Sequence, residues 1–334
     1  MSTAPTQAAK PRLTTSAMIA SIAAPGQRTA PAPFGNALVE LAKTRPEIVG
    51  LTADLAKYTD LHIFAKACPE RFYQMGMAEQ LLMSAAAGLA REGALPFVTT
   101  YAVFAARRAY DFICMAIAEE RLNVKIVCAL PGLTSGYGPS HQATEDIAIF
   151  RGMPNLTIVD PADAHEIAQA TPAIAAHDGP VYMRLLRGNV PLILDEYGYT
   201  FELGTAKTIR TGNDVLVIST GLATMRALQA AEMLEADRIG VEVLHAATIK
   251  PLDLATILAA AGKSGRLVVV AENHTVVGGL GEAVAAGMLR AGIAPRFRQI
   301  GLPDAFLAAG ALPTLHDRYG ISAEAMARQI RAWL

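Results

Sequence analysis

Short apolar runs alternate along this chain with longer stretches that have helical periodicity. Runs that are apolar throughout are typical of strands buried on both faces of a parallel sheet. Their alternation with helices predicts βαβ units. We therefore expect an α/β protein with two doubly wound domains of mainly parallel sheet. Strands are expected at residues 47–52, 72–75, 95–101, 124–130, 156–160 and 181–185, and then at 215–220, 241–244, 267–271 and 297–300.

The alternation is interrupted from residue 187 to residue 210, where prolines, glycines and tyrosines are scattered. We interpret residues 191–210 as a linker between a first domain, 33–190, and a second domain, 211–334. Residues 1–32 are rich in Ala, Pro, Thr and Ser and are expected to form a flexible arm. Helices are expected at residues 81–90, 104–121, 164–176 and 322–334.

The composition is compatible with two domains and argues against several classes of function. The chain has 334 residues, 52% of them hydrophobic, and a net charge of −1, and domains usually span roughly 100–200 residues. There is no basic stripe to bind nucleic acid and no apolar run of the ~18 residues that a membrane span needs. The apolar run 17–24 is short for a signal peptide, so we expect a cytoplasmic protein. The cysteines lack metal-ligand spacing, which predicts reduced thiols and no metal site in the chain: Cys68, Cys114 and Cys128.

Glu79 is the residue whose position most strongly indicates chemistry. It lies in the segment GMAEQ, residues 76–80, between a strand-like run and a helix of small apolar residues. An acidic residue in the first turn of a helix often only complements the helix dipole. A carboxyl group with almost nothing polar around it is, however, where a protein holds an acid whose proton matters.

Other candidate residues also follow the ends of predicted strands in the first domain. Ligands of doubly wound sheets collect at the carboxyl ends of strands, so one sheet edge is expected to gather these residues. Besides Glu79 they are Asp54, Tyr101, Phe104 and a loop, residues 131–141, that ends at His141.

The run MGMAEQLLMSAAAGLAREGALPFVTTYAVFAA, residues 75–106, resembles the pyrimidine-binding domain of transketolases. That family has G-(I/M)-A-E-Q, AAGLA and PFVxTFAxF in the same order and spacing. The match continues through RRAYD at 107–111 and GPSHQ at 138–142, and ENHTVVGGLG at 272–281 resembles the family's C-terminal motif. The resemblance covers the chain from about residue 33 onward. It implies transfer of a two-carbon ketol unit between sugar phosphates, with thiamine diphosphate as cofactor.

The resemblance also implies which residues bind the cofactor. Glu79 matches the acid that hydrogen-bonds the pyrimidine ring nitrogen and favours the imino tautomer. Phe104 and Tyr101 match the two aromatic positions that wall and stack against the ring, although the first is usually Phe. Asp54 matches an acidic residue near the thiazolium, and a helix N-cap is the alternative interpretation.

Two further residues are implied to bind substrate. His141 matches a histidine that donates to sugar oxygens and so takes part in catalysis. Arg187 matches an arginine that binds the substrate phosphate, for which a guanidinium fork is suited; the alternative is a salt bridge in the linker.

The loop before His141 departs from the family pattern. Sugar-phosphate transketolases usually have G-E-D-G-P-(T/S)-H, whereas this chain has SGYGPSH at residues 135–141, with Tyr137 where an Asp is expected. In the family, the Asp at this position and an earlier His, which is missing here near residues 130 and 131, contact sugar hydroxyls. An atypical branched sugar, such as apulose 4-phosphate, is therefore a candidate substrate.

No Gly-Asp-Gly run occurs in the chain. In the family, an earlier domain with this run and a downstream Asn holds the diphosphate and Mg²⁺, which require hard oxygen ligands. The resemblance therefore implies a split enzyme. A partner subunit equivalent to the N-terminal half would supply the Mg²⁺ ligands, in an α2β2 assembly, and this chain alone would be inactive.

Three alternatives remain open from the sequence. With the same cofactor, the chain would be a β subunit of a 2-oxo acid dehydrogenase or half of a deoxyxylulose phosphate synthase. It would otherwise be a regulatory subunit that kept the fold without catalysis. The glycines at 279 and 281 suggest a dinucleotide-binding turn, but the turn after the strand is too long, so we expect them to permit close packing at a helix start.

Overall fold

The computed structural model describes residues 22–24 and 26–334. The expected arm, residues 1–32, therefore lies largely outside the described residues. The strands are β1 (Thr29–Pro31), β2 (Ile48–Thr52), β3 (Phe72–Gln74), β4 (Leu95–Tyr101), β5 (Lys125–Ala129), β6 (Thr157–Val159), β7 (Val181–Leu185), β8 (Asn189–Pro191), β9 (Lys207–Arg210), β10 (Val215–Ser219), β11 (Val241–His245), β12 (Thr248–Lys250), β13 (Leu267–Thr275) and β14 (Arg296–Leu302). The helices are α1 (Pro33–Ala42), α2 (His62–Ala67), α3 (Glu79–Arg91), α4 (Ala102–Arg108), α5 (Tyr110–Ile113), α6 (Asp146–Arg151), α7 (Ala164–Ala176), α8 (Leu222–Glu235), α9 (Leu254–Ala261), α10 (Leu280–Arg290), α11 (Leu312–Arg318) and α12 (Ala323–Trp333).

The first domain is built on a seven-stranded sheet in the order β12-β6-β7-β5-β4-β2-β3. Every neighbouring pair is parallel except β12 with β6, which is antiparallel. Strand β12 comes from the second half of the chain, so this edge strand ties the two domains together. The five strands that precede the candidate residues, β7, β5, β4, β2 and β3, are parallel, and their carboxyl ends therefore lie along one edge.

The second domain has a five-stranded sheet in the order β14-β13-β10-β11-β9. Only its β9 pairing is antiparallel. The expectation of an α/β protein with two mainly parallel sheets is therefore confirmed.

Residues 187–210 contain more regular structure than their sequence indicates. Strand β8 pairs antiparallel with β1, a 3₁₀ turn covers Leu194–Tyr197, and β9 joins the second sheet. These elements are three or four residues long, too short for an alternating pattern to be recognised. The linker bounds 191–210 stay a prediction.

The prediction of one continuous helix over residues 104–121 is wrong. The structure has α4, α5 and then a π-helical turn at Cys114–Ala118. The break is at Ala109, whose backbone leaves helical geometry at φ −115° and ψ 10°. Apolar periodicity continues through this buried alanine, which is why the sequence predicted one helix. The helices expected at 81–90, 164–176 and 322–334 are confirmed as α3, α7 and α12.

A buried charged cluster joins the domains beneath the sheet edge. Arg184 in β7 donates from Nε and Nη2 to Asp146, at 2.9 and 3.1 Å, and from Nη1 to Asp160 at 3.0 Å. Its Nη2 also donates to the backbone oxygen of Asn273, in β13 of the second domain, at 3.0 Å. Arg184 is almost completely buried, so each of these contacts replaces hydration that the guanidinium lost.

We predict that Asp146→Ala lowers the free energy of unfolding by about 3–5 kcal/mol, because it leaves a buried guanidinium short of a partner. Urea titration monitored by circular dichroism measures this. The control is Asp317→Ala, which removes an ion pair between the exposed side chains of Asp317 and Arg328 and should leave stability nearly unchanged. Equal effects of the two variants would contradict the prediction.

Candidate active site

The candidate residues lie side by side along the carboxyl edge of the first sheet. The parallel neighbours β7, β5, β4, β2 and β3 are followed in turn by Arg187, the loop to His141, Tyr101 with Phe104, Asp54 and Glu79. Adjacent strands are about 4.8 Å apart. The topology of the sheet therefore places these residues along one edge, as expected.

Glu79 is the first residue of α3. The chain turns into this helix at Gly76, whose φ of +73° is readily adopted only without a side chain. The Glu79 side chain is only 4% exposed, and its Oε1 accepts from Nη1 of Arg108 at 3.1 Å. A carboxylate is therefore held almost out of water at the positive end of a helix.

Four rings lie together, and Arg108 links them to Glu79, because its guanidinium carbon lies 4.0 Å from the Phe104 ring centroid. The centroids of Tyr101 and Phe104 are 5.6 Å apart, and His141 lies 6.0 and 5.5 Å from them in edge-on geometry. Tyr137 packs on His141 at 5.2 Å. Offset and edge-on arrangements of this kind are the favourable ones for aromatic groups. The cluster forms an aromatic wall, and His141 is its member whose ordinary pKa lies near neutral pH.

The His141 ring is in a partly desolvated position. Burial lowers its pKa from the ordinary value, and the nearby charge of Arg108 lowers the pKa further. Its Nδ1 lies 2.9 Å from Oγ of Ser140. The neutral imidazole is therefore favoured, with Nε2 left to exchange a proton or hydrogen bond with a ligand.

The second domain holds the loop that carries His141. Asn273 accepts at Oδ1 from the backbone N–H of Leu133 at 2.9 Å, and His316 bonds through Nε2 to the oxygen of Leu133 at 2.7 Å. At Gly132, φ is +56° and an added Cβ would lie 2.1 Å from the Asn273 oxygen. These supporting contacts were not predicted from the sequence, where the ENH motif at 272–274 indicated Asn273 but gave no sign of His316.

Asp54 and Arg187 flank the ring cluster. Asp54 is exposed, with φ of +58°, and exchanges hydrogen bonds with the Gln74 side chain at 2.7 and 3.1 Å. It does not cap the 3₁₀ turn Ala56–Thr59, whose N-cap position is the next residue. The Arg187 guanidinium lies 5.7 Å from the Tyr58 ring centroid. Burial raises the pKa of Tyr101, and the charge of Arg187 partly opposes this rise in pKa.

The glycines at the start of α10 serve close packing, as expected. Glu272 accepts from the backbone N–H groups of Leu280 and Gly281 at 2.7 and 2.9 Å. A Cβ on Gly279 would lie 2.1 Å from the Glu272 carboxylate, and one on Gly281 would lie 1.9 Å from Gln299. The described residues contain no group of three or more metal-ligating side chains. No helix among them has the length and apolar character to cross a bilayer.

Comparison with known proteins identifies the family. Residues 28–192 match "Transketolase, pyrimidine binding domain", and residues 204–326 match "Transketolase, C-terminal domain". An uncharacterized transketolase family protein of Sinorhizobium fredii is 73% identical over 328 residues, covering 98% of this chain and 95% of that protein. The chain belongs to the transketolase family.

One relative is described as a transketolase subunit, and one solved structure is described as a split gene transketolase. The 6-deoxy-6-sulfo-D-fructose transketolase subunit SqwH of a Clostridium species is 39% identical over 296 residues, covering 88% of this chain and 91% of that subunit. A solved structure described as a split gene transketolase, inactive beta4 tetramer, superposes with a TM-score of 0.80 at 41% identity. It covers 90% of this chain and 96% of its own. The transketolase resemblance of the sequence is thereby confirmed, in a thiamine diphosphate-dependent family.

We predict that His141 titrates below the ordinary histidine pKa of about 6.5, because burial and Arg108 both disfavour its charged form. NMR titration of the isolated chain with ¹³C-labelled histidine measures this. Removing the covering ring by Tyr137→Ala should raise the His141 pKa toward the ordinary value. A wild-type midpoint above 6.5 would be incompatible with this account.

Proposed function

We propose that this chain is the pyrimidine-binding subunit of a split transketolase. With its partner it would transfer a two-carbon ketol unit between sugar phosphates, using thiamine diphosphate. The observation that carries the proposal is the almost fully buried carboxyl group of Glu79, which adjoins the ring cluster through its contact with Arg108. The thiamine cofactor supplies a carbon nucleophile and stabilises the carbanion that the transfer requires.

The residues present fit an aminopyrimidine ring. Phe104 and Tyr101 offer aromatic surface for a flat heterocycle. Glu79 offers a carboxyl group shielded from water, which is the group needed to hydrogen-bond a ring nitrogen and share its proton. Asp54, exposed at the next strand end, is proposed to face the thiazolium side of the site.

His141 and Arg187 are proposed to orient the sugar. A neutral imidazole both donates and accepts, which suits the carbonyl and hydroxyl oxygens of a ketose. The guanidinium of Arg187 suits the phosphate of the donor. Tyr137 replaces a polar group with a ring that packs on His141. That replacement favours a sugar with a different hydroxyl pattern, such as the branched apulose 4-phosphate.

The surface around Glu79 supports a partner subunit. Met77 is 82% exposed and lies just before α3, and α3 packs against α5 and the π-helical turn. Large apolar side chains exposed on these elements are what a protein interface covers. They form the proposed partner face: Met77, Leu81, Tyr110, Phe112 and Met115. The partner would carry the diphosphate and Mg²⁺ site, in a cytoplasmic α2β2 assembly.

We predict that Glu79→Gln lowers turnover by the reconstituted assembly by at least about 100-fold, because a positioned acid–base group contributes that much. Ketol transfer between sugar phosphates, assayed with thiamine diphosphate and Mg²⁺, measures this. The control is Glu92→Gln, which changes an exposed acid at the other end of α3 and should leave turnover unchanged.

Three outcomes of the same assay would overturn the proposal. Turnover by the chain without any partner would refute the split enzyme. Full activity of the Glu79→Gln assembly would favour a non-catalytic subunit. Pyruvate decarboxylation in place of ketol transfer would favour a 2-oxo acid dehydrogenase or a deoxyxylulose phosphate synthase.

We predict that the double variant Met77→Ser, Leu81→Ser weakens association with the partner at least tenfold. The reason is that the variant removes two apolar side chains whose surface the partner would bury. Sedimentation or surface binding with the purified partner measures the affinity. Leu289→Ser is the control, since this leucine is 77% exposed on α10 of the second domain. An unchanged affinity of the double variant would argue against the partner face.

A further inference from the structure

A cavity between the two domains is lined by three basic side chains and has a volume of 320 Å³. Arg151 ends α6 in the first domain, Lys250 ends β12, and Arg290 ends α10 in the second domain. None of the described residues that line the cavity is acidic, although the chain as a whole has a net charge of −1. A cleft lined by charge of one sign concentrates ions of the opposite sign.

Backbone oxygens hold two of these cations in place. Arg151 donates through Nη1 to the backbone oxygens of Gly278 and Gly279, the second at 2.9 Å. Lys250 donates through Nζ to the backbone oxygen of Arg151 at 3.0 Å and to that of Met153. Both side chains are partly buried. Carbonyl groups satisfy N–H donors but carry no net charge, so these contacts do not neutralise the two cations.

Carboxylates do not neutralise the three cations either. None of the three is in an ion pair within residues 22–24 and 26–334. Burial raises the pKa of Glu272 to about 7, and the charge of Arg151 is one of the smaller effects that lower this pKa. Glu272 binds N–H groups at the start of α10 and does not line the cavity. Burial and then the charge of Arg151 lower the pKa of Lys250, as expected for two like charges held close together.

The remaining lining of the cavity is apolar. It consists of Ile249, Leu252 and Leu254, with Ala283 and Ala286 of α10. Guanidinium and ammonium groups are the side chains that bind phosphate. Inorganic phosphate would contact the cations and leave the apolar surface uncovered, whereas a phosphate ester also has a carbon body to cover it. The lining therefore fits an ester better than the bare ion.

We propose that this cavity binds a small organic phosphate, with its phosphate among the three cations and its carbon body against the apolar lining. None of the lining residues belongs to the ring cluster or to the residues proposed to bind the sugar, so the inference does not depend on the proposed function. Because Arg151 belongs to the first domain and Arg290 to the second, the bound ligand would contact both domains and stabilise their association.

The test is calorimetric titration of the full chain with phenyl phosphate and with inorganic phosphate at constant ionic strength. We expect one phenyl phosphate site per chain, with at least about tenfold higher affinity than for inorganic phosphate, because the ring buries apolar surface. Phenyl phosphate should also raise the melting temperature. Equal affinities for the two probes would overturn the assignment to an ester. A lack of saturable phenyl phosphate binding up to about 10 mM would overturn the site itself.

Arg290→Glu tests the role of charge at the rim of the cavity. It should weaken phenyl phosphate binding at least about tenfold, because it reverses one of the three charges. The matched control is Arg318→Glu. Arg318 is also the exposed last residue of its helix, α11, and does not line the cavity, so the control should keep the affinity. Equal weakening by the two variants would overturn the site.

Ala286→Glu and Ala286→Gln separate charge from shape without removing any cation. The two new side chains have nearly the same size, but only glutamate adds a negative charge to the cavity. Phenyl phosphate should bind Ala286→Glu at least about tenfold more weakly than Ala286→Gln. Equal affinities of these two variants would overturn the proposal.

Arg187→Met separates this cavity from the proposed sugar-binding residues. The variant should keep one phenyl phosphate site per chain with unchanged affinity, since Arg187 does not line the cavity. Loss of binding by Arg187→Met would place the probe at the sugar-binding residues and overturn this inference, while leaving the proposed function intact.

Discussion

A carboxyl group removed from water needs a hydrogen-bond or ion-pair partner. The backbone turn before α3 holds the Glu79 side chain in such a buried position. The turn at Gly76 and the start of α3 fix where its side chain begins, and α4 brings Arg108, whose guanidinium lies over the Phe104 ring, against it. Tyr101 packs on Phe104 and adds aromatic surface there. Among the described residues, a half-exposed arginine pairs with this buried carboxyl group, which also lies at the positive end of α3.

The second domain contributes to this site without placing a side chain in the ring cluster. Asn273 and His316 hold the backbone of Leu133, at the start of the loop that ends at His141. The buried cluster around Arg184 ties the same strand, β13, to the first sheet. Because these bonds are buried, movement of this end of the loop would break contacts with the second domain. The position of His141 thus depends on the interface between the domains as much as on its own loop.

Most of the fold could be predicted from the sequence because its strands are apolar throughout and alternate regularly with helices. The pattern did not reveal the short strands β1, β8, β9 and β12, which are held by pairing with distant residues and not by their own periodicity. The break at Ala109 was also hidden, since an alanine fits the apolar pattern of a helix on either side of it.

The candidate site could be predicted only as a set of positions. Resemblance singled out Glu79, Phe104, Tyr101, Asp54, His141 and Arg187, and topology explains why they follow neighbouring strands. The partnership of Arg108 with Glu79 was not predicted, because 29 residues separate them and neither residue alone indicates the other. Sequence spacing likewise could not show that Asn273 reaches across to Leu133.

The most direct test of the central claim is a crystal structure of the assembly reconstituted with its partner and thiamine diphosphate. The account predicts a carboxyl oxygen of Glu79 within about 2.6–3.2 Å of the pyrimidine ring nitrogen. A bound cofactor whose ring lies elsewhere, with Glu79 still paired to Arg108, would contradict it.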